Sequence, residues 1–282
     1  MDLHALELKS WDLRKDVVDI IMAGKGGHIG GDMSLLNILL TLYKNHLRIS
    51  PDTVNDPARD RFVLSKGHSM EAYYAVLCDC GFLDLEDVKA RFQKFGSPYI
   101  GHPNNKLPGI EMNSGSLGHG LPVCIGMALA ARMNGLDYRV YTIMGDGELA
   151  EGSVWEGAMA AAHYQLDQLC AVVDRNRLQI SGSTEDVMAH DSQEERWAAF
   201  GWHVISIDGS SIEAIDAALT QAKAVKGKPT VIIANTIKGY GSPLMEHKAS
   251  WHHHLPNQEE YEQIMADFAL RKEAVRCGQC DS

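Results

Sequence analysis

The sequence lacks the features that would place the protein in a membrane or on nucleic acid. No apolar run approaches the roughly 18 residues that a membrane-spanning helix needs, and residues 1–15 are charged and lack the apolar core of a targeting segment. Basic residues are in the minority, with 26 Lys and Arg against 37 Asp and Glu and a formal net charge of −11. These absences predict a cytoplasmic protein with neither a membrane span nor a general nucleic-acid surface.

Several catalytic motifs are also absent. The sequence contains no G-x-G-x-x-G, no G-x-x-x-x-G-K-[ST] and no H-E-x-x-H, so dinucleotide binding, P-loop nucleotide hydrolysis and zinc hydrolysis have no support. The six cysteines are too few and too scattered for a disulfide framework. Cys277 and Cys280 form a C-x-x-C pair, but no second pair at zinc spacing accompanies them, and no role is assigned to them.

Segments typical of strands and helices alternate along the chain. Apolar runs at 61–65, 140–144, 168–173, 202–207 and 230–235 predict strands, and helical apolar spacing is present at 10–23, 69–80, 123–133, 149–164 and 212–225. A chain of 282 residues is long enough for one large α/β domain spanning 1–282. The alternation predicts a single α/β domain with a doubly wound parallel sheet and helices on both faces.

The stretch 24–32, G-K-G-G-H-I-G-G-D, is too rich in glycine for a regular element. It predicts a loop with His28 in its middle, whose backbone can approach another group closely. Asp32 is predicted to cap the helix that follows this loop.

Polar residues follow two strands that belong to one βαβ unit. Asp146 follows the strand 140–144, and Asn176 follows the strand 168–173. Because open α/β sheets bind ligands at the carboxyl ends of their strands, these side chains should converge. A carboxylate, an amide oxygen and the carbonyl of Leu178 would suit a hard cation such as Mg²⁺. Gly145 and Gly147 would let the backbone approach a diphosphate at the N-terminus of the next helix.

This G-D-G, followed after about thirty residues by Asn, resembles the motif of thiamine diphosphate enzymes. The sequence is most similar to the transketolases. The resemblance implies a cofactor-binding domain of the diphosphate type that takes thiamine diphosphate with Mg²⁺, Ca²⁺ or Mn²⁺. It implies metal ligands at Asp146, Asn176 and Leu178.

The resemblance to transketolases extends along most of the chain. It implies cofactor contacts from residues in L-S-K-G-H, N-S-G-S-L-G, G-D-G-E-L-A-E and T-I-K-G-Y-G, namely Lys66, His68, Gly115, Ser116, Leu117, Gly147, Glu151 and Lys238, and from Asn176. It implies catalytic roles at the sugar for four histidines, His28, His68, His102 and His252. The sequence departs from the family pattern at Ile29, which replaces a proline, at His119, where many relatives carry glutamine, and at His253, which replaces a glycine.

The resemblance implies transfer of a two-carbon ketol unit from a ketose phosphate to an aldose acceptor. It covers only the diphosphate-binding half of a full-length transketolase. A C-terminal transketolase subunit, carrying the pyrimidine-binding domain with its activating glutamate and the third domain, is expected as a partner in a heterotetramer. The donor could be a pentose phosphate or a branched or unusual ketose phosphate.

Other interpretations stay open from the sequence. The same metal- and diphosphate-binding residues would serve a catalytically silent cofactor-binding subunit, a deoxyxylulose-phosphate synthase-like subunit or a 2-oxo acid dehydrogenase-like subunit. Four histidines at predicted loop sites speak against a silent scaffold, because imidazole both donates and accepts protons near neutral pH. The sequence does not single out the histidine that acts as base.

Overall fold

A parallel sheet forms the centre of the protein in the computed structural model, which describes residues 1–189 and 192–278. In chain order the strands are β1 (Arg61–Leu64), β2 (Val140–Gly145), β3 (Leu169–Arg175), β4 (Leu178–Gln179), β5 (Gly182–Ser183), β6 (His203–Asp208) and β7 (Thr230–Asn235). The main sheet has the order β1-β2-β3-β7-β6, and its neighbouring strands run parallel. Strands β4 and β5 pair antiparallel in a separate hairpin. Cys280 lies outside the described residues, so the C-x-x-C pair is not placed.

Helices connect and cover the strands. They are α1 (Leu3–Gly24), α2 (Ile29–Thr41), α3 (Met70–Asp79), α4 (Leu85–Arg91), α5 (Gly120–Met133), α6 (Gly152–His163), α7 (Thr184–Met188), α8 (Gln193–Ala199), α9 (Ile212–Ala224) and α10 (Gln258–Arg276). A π-helical turn (Leu42–His46) and the short 3₁₀ turns Pro51–Thr53, Gly147–Ala150 and Ala249–Trp251 complete the regular structure. Within the described residues, no helix combines the length and apolar character that crossing a bilayer requires.

Alternate strand residues point into two hydrophobic cores, one on each face of the sheet. Along β3, Cys170 and Val172 join the core formed with α1, α2, α3, α9 and α10. Ala171 and Val173 join the opposite core with α5, α6 and Trp197 of α8. Full burial of a valine such as Val172 or Val173 contributes about 1.5–3 kcal/mol relative to exposure. The predicted α/β fold, with a doubly wound parallel sheet and helices on both faces, is confirmed.

The start of α2 differs from the prediction. The helix begins at Ile29, so Gly30, Gly31 and Asp32 lie in its first turn and not in a preceding loop. His28 occupies the N-cap position without a capping side chain, and Asp32 does not cap its own helix. The carboxylate of Asp32 instead accepts a hydrogen bond from the amide of Ala72 in α3.

Candidate active site

A cavity of about 530 Å³ lies at the carboxyl ends of β1, β2, β3 and β7. This is the edge of an α/β sheet at which ligands bind. Eleven of the predicted site residues line it, namely His28, Lys66, His68, Gly115, Leu117, Asp146, Gly147, Asn176, Leu178, Lys238 and His252. The structure therefore brings together residues that are distant in the sequence, such as His28 and His252.

Three predicted site residues do not line this cavity. His102 lies beside it, with its ring 6.0 Å from that of His28. Ser116 and Glu151 are exposed. Glu151 packs against the turn at Gly118, where an added Cβ would lie 2.6 Å from the Cβ of Glu151. Contacts from Ser116 and Glu151 to a cofactor stay predictions.

A mixed set of oxygen atoms meets at the ends of β2 and β3. Asp146 is 2% exposed, and its carboxylate accepts hydrogen bonds from the amides of Gly147 at 2.8 Å and Arg177 at 2.5 Å. Burial, followed by the charge of Asp174, raises the pKa of Asp146 to about 6. The Asn176 side-chain oxygen accepts from the amide of Leu178 at 3.1 Å.

These oxygen atoms form the candidate site for a divalent cation. No group of three His, Cys, Asp or Glu side chains within residues 1–189 and 192–278 could hold a metal. A hard cation needs few protein ligands where phosphate and water supply the rest. Asp146, Asn176 and the Leu178 carbonyl would therefore hold Mg²⁺, and a positive charge there would relieve the cost of burying the Asp146 carboxylate.

Two buried lysines make the cavity suitable for an anion. Lys66 is 1% exposed and pairs with Asp174 at 2.5 Å. The Lys238 ammonium donates to the Leu178 carbonyl at 3.2 Å and contacts the His252 Nδ1 at 2.9 Å. Burial and the charge of Lys66 lower the pKa of Lys238 to about 8. The negative charge of a bound diphosphate would offset the effects of burial and of the Lys66 charge on Lys238. The two lysines therefore fit that group.

The turn after β1 approaches the 115–118 segment closely. A Cβ on Gly67 would lie 2.9 Å from the Gly115 amide nitrogen, and Gly115 has a φ of +140° that other residues rarely adopt. A Cβ on Gly115 would also lie 2.6 Å from the His102 ring. Glycine is therefore required at both positions to bring the backbone to the cavity.

Five histidine rings cluster at the cavity. The ring centroid of His28 lies 5.3 Å from that of His68, 5.5 Å from that of His252 and 4.8 Å from that of His253. The His68 and His252 centroids are 5.4 Å apart, and His102 completes the group. The four predicted catalytic histidines thus lie together, with His253 as a fifth.

Burial keeps the four predicted imidazoles neutral. It is the main cause that lowers the pKa of His28 to about 4 and that of His252 to about 3. Burial also lowers the pKa of His68 and of His102. At pH 7 each of these four rings can therefore donate one hydrogen bond and accept another, as contact with sugar hydroxyls requires.

The histidine tract 252–254 divides into two parts. His252 and His253 face His28, whereas the ring of His254 packs on Trp251 at 4.3 Å. His254 also contacts the Glu260 carboxylate at 2.9 Å. The first two residues belong to the cluster at the cavity, and the third connects the segment to α10.

Two buried carboxylates of the site were not predicted. Asp174 accepts hydrogen bonds from Ser34 and Thr236 in addition to its ion pair with Lys66. Its sequence signal is an acidic residue inside the apolar run of β3. Glu148 lines the cavity and accepts from the amides of Gly118 at 2.8 Å and Gly145 at 3.1 Å and from the Ser65 hydroxyl.

Replacing Glu148 with alanine is expected to lower the free energy of unfolding by about 3 kcal/mol, because two buried amides and a hydroxyl lose their acceptor. Glu148→Gln keeps one oxygen and should lose less. Urea denaturation measures both changes. Glu156→Ala, at an exposed position of α6, is the control and should change stability little. Equal stability of Glu148→Ala and the wild type would contradict this role.

Comparison with known proteins identifies the family. The family described as "Transketolase, thiamine diphosphate binding domain" matches residues 10–275. One subunit of the apulose-4-phosphate transketolase of Phocaeicola vulgatus is 47% identical over 275 residues, which cover 98% of each chain. The 6-deoxy-6-sulfo-D-fructose transketolase subunit SqwG of a Clostridium species is 41% identical over 88% of this chain and 90% of its own.

Solved transketolases have the same fold over a longer chain. The Campylobacter jejuni enzyme superposes with a TM-score of 0.86 at 29% identity, covering 99% of this chain and 47% of its own. The Leishmania mexicana enzyme gives a TM-score of 0.85 at 29% identity, covering 99% and 46%. The chain therefore spans about half the length of these structures. It belongs to the transketolase family of thiamine diphosphate enzymes, in which it corresponds to the thiamine diphosphate-binding domain.

Proposed function

We propose that this chain is the diphosphate-binding subunit of a split transketolase that transfers a two-carbon ketol unit from a ketose phosphate to an aldose acceptor. One observation carries the proposal: a metal and diphosphate cradle adjoins a cluster of neutral histidines in a single cavity. The cradle suits the cofactor, and the histidines suit a polyhydroxylated substrate.

The chain's own residues would bind the cofactor and move protons. Thiamine diphosphate, when bound, supplies an electron sink for breaking and forming carbon–carbon bonds. Lys66 and Lys238 neutralise the diphosphate, and Asp146 with Asn176 holds the metal ion. His28 and His68, both neutral at pH 7, can accept a proton from a sugar hydroxyl and return it.

The second half of the site would come from another polypeptide. The related proteins from Phocaeicola vulgatus and Actinobacillus succinogenes are each named as one subunit of an apulose-4-phosphate transketolase, and this chain covers 98% and 95% of their lengths. We therefore place the pyrimidine-binding domain, with its activating glutamate, on a partner subunit. The cofactor would lie between the chains of a heterotetramer. A cytoplasmic location stays a prediction.

The relatives' names suggest anionic ketoses as donors. They name apulose 4-phosphate and 6-deoxy-6-sulfo-D-fructose, one a phosphate and the other a sulfonate. The test is a donor panel assayed with both subunits, thiamine diphosphate and Mg²⁺, comparing apulose 4-phosphate, xylulose 5-phosphate and 6-deoxy-6-sulfofructose. Ketol transfer from at least one is expected. Decarboxylation of pyruvate without ketol transfer would instead favour a deoxyxylulose-phosphate synthase-like or 2-oxo acid dehydrogenase-like subunit.

His253→Gly is expected to raise the donor KM about fivefold with little change in kcat. His253 is exposed, and its ring centroid lies 4.8 Å from that of His28, so we expect it to hydrogen-bond the donor when the donor contacts His28. Loss of one such hydrogen bond costs about 1 kcal/mol. The matched variant is His254→Gly, because His254 faces Trp251 and Glu260. It should lower thermal stability without changing KM. Steady-state kinetics of the two-subunit enzyme separates these outcomes, and an unchanged KM in His253→Gly would contradict substrate contact.

A further inference from the structure

Two helices that present site histidines begin without caps of their own. Helix α2 starts with His28 at its N-cap, and α3 starts with Ser69 at its N-cap, one residue after His68. Neither N-cap side chain accepts a hydrogen bond from its own helix. The first amides of a helix need partners when they are buried, so other residues must supply them.

Each helix provides a carboxyl group for the other. Asp32 of α2 accepts a hydrogen bond at 3.0 Å from the Ala72 amide in α3. Glu71 of α3 lies beside the backbone amide of His28, although the two do not have the geometry of a hydrogen bond. Burial raises the pKa of Glu71, and this amide partly opposes that effect. A Cβ on Gly27 would lie 2.7 Å from a Glu71 carboxyl oxygen. Asp32 thus bonds to the start of α3, and Glu71 packs against the residues that precede α2.

The pair cannot carry two negative charges at low cost. Asp32 and Glu71 are both 0% exposed, and their carboxyls are close enough to hydrogen bond once one is protonated. Three of their four oxygens have no other hydrogen-bond partner among the described residues. The ionisable groups facing the pair are Lys66, which is paired with Asp174, the phenol of Tyr74 and His28.

Burial therefore favours the protonated form. It raises the pKa of Asp32 to about 7, and burial with the adjoining Asp32 raises the pKa of Glu71 well above its ordinary value. The pair titrates as a unit. At neutral pH it retains a proton that the same carboxyls release in the unfolded chain.

We propose that Asp32 and Glu71 form a buried pair of carboxyl groups that shares a proton. This pair, here called the clasp, joins the starts of α2 and α3 and fixes the separation of the His28 and His68 rings. Both are positioning residues, since neither lines the cavity: Asp32 accepts a hydrogen bond from the Ala72 amide, and Glu71 packs against the turn before α2. Their effect on catalysis rests on the proposed function, whereas the shared proton and the ring geometry do not.

The shared proton can be tested by thermal unfolding of the full chain between pH 5 and pH 8. A carboxyl whose folded pKa is raised contributes stability that is lost as pH rises towards that pKa. The variant Asp32→Asn/Glu71→Gln keeps acceptors and donors in place without titrating. Its melting temperature should rise relative to that of the wild type as pH increases. A constant difference across this range would overturn the shared proton.

A matched control separates this effect from loss of any carboxylate near a helix start. Glu213→Gln removes an exposed carboxylate from the first turn of α9. Its melting temperature should follow that of the wild type at every pH. The double amide variant should also remain folded at pH 5, since its side chains reproduce the protonated pair. Unfolding of that variant at pH 5 would contradict the clasp geometry.

The positioning role can be tested by NMR of chain labelled in its histidine rings. Asp32→Ala removes the acceptor for Ala72 and should shift the ring signals of His28 and His68. The double amide variant should leave these signals near their wild-type positions. Unchanged signals in Asp32→Ala would overturn the positioning role. Neither experiment requires ketol transfer, so failure of this inference is distinguishable from failure of the proposed function.

Discussion

Asp146→Ala is expected to abolish Mg²⁺-dependent binding of thiamine diphosphate while leaving the fold intact. Asp146 provides the only carboxylate of the oxygen set formed with Asn176 and Leu178. Loss of an outer-shell partner of a metal costs about 10- to 100-fold in affinity, so loss of the charged ligand should cost about 100-fold or more. Isothermal titration calorimetry with and without Mg²⁺ measures the change.

Two further variants isolate the charge of Asp146. Asp146→Asn keeps one side-chain oxygen, which can accept from one of the two amides of Gly147 and Arg177, but it lacks the charge. It should therefore lose metal-dependent binding and retain more stability than the alanine variant. Asp208→Ala removes an exposed carboxylate at the end of β6, on the same edge of the sheet, and should bind normally. Unchanged metal-dependent binding in both Asp146 variants would contradict the metal assignment.

Asp174→Ala is expected to lower the free energy of unfolding by about 3–5 kcal/mol. The change leaves the buried ammonium of Lys66 without its carboxylate, and an unpaired buried charge carries a penalty of this size. It also removes the acceptor for the hydroxyls of Ser34 and Thr236. Chemical denaturation of the full chain gives the free energy directly.

The double variant Lys66→Met/Asp174→Asn separates stability from binding. It removes both charges and keeps an acceptor for one of the two hydroxyls, so it should recover most of the stability lost in Asp174→Ala. It should not recover diphosphate affinity, because Lys66 is one of the two lysines at the cavity. If the double variant were as unstable as Asp174→Ala, the unpaired charge would not explain the loss.

Motif spacing was sufficient to predict most of the cavity. Asp146, Asn176 and Lys238 each follow a buried parallel strand, and strand ends meet at one edge of a sheet irrespective of sequence separation. The apolar runs likewise predicted every strand of the main sheet to within two residues at each end. The strands and the polar residues that follow them can be predicted because both depend on local sequence patterns, and the geometry of a parallel sheet then places the strand ends together.

The start of α2 could not be predicted in the same way. Two glycines in the first turn reduce helix propensity, so a loop was the natural interpretation. In the fold, a Cβ on Gly30 would lie 2.6 Å from the Trp251 carbonyl oxygen, and one on Gly31 would lie 2.8 Å from the Ser69 hydroxyl. Close tertiary approach therefore explains the glycines, and no local pattern reveals it.

Glu148 was missed, and the sequence left the role of His253 open, for a related reason. The partners of Glu148, the amide of Gly118 and the hydroxyl of Ser65, lie 30 and 83 residues away in the sequence. His253 contacts His28 only because the 249–254 segment folds back across the start of α2. Roles that depend on distant contacts become visible only in the folded chain.

The central claim, that this chain holds half of a transketolase site, is tested most directly by titrating it with a pyrimidine-binding subunit from the same organism. With thiamine diphosphate, Mg²⁺ and a ketose phosphate donor present, ketol transfer should be absent for either polypeptide by itself. It should rise with added partner and saturate at a fixed ratio of the two chains. Full ketol transfer by the purified chain alone would contradict the claim.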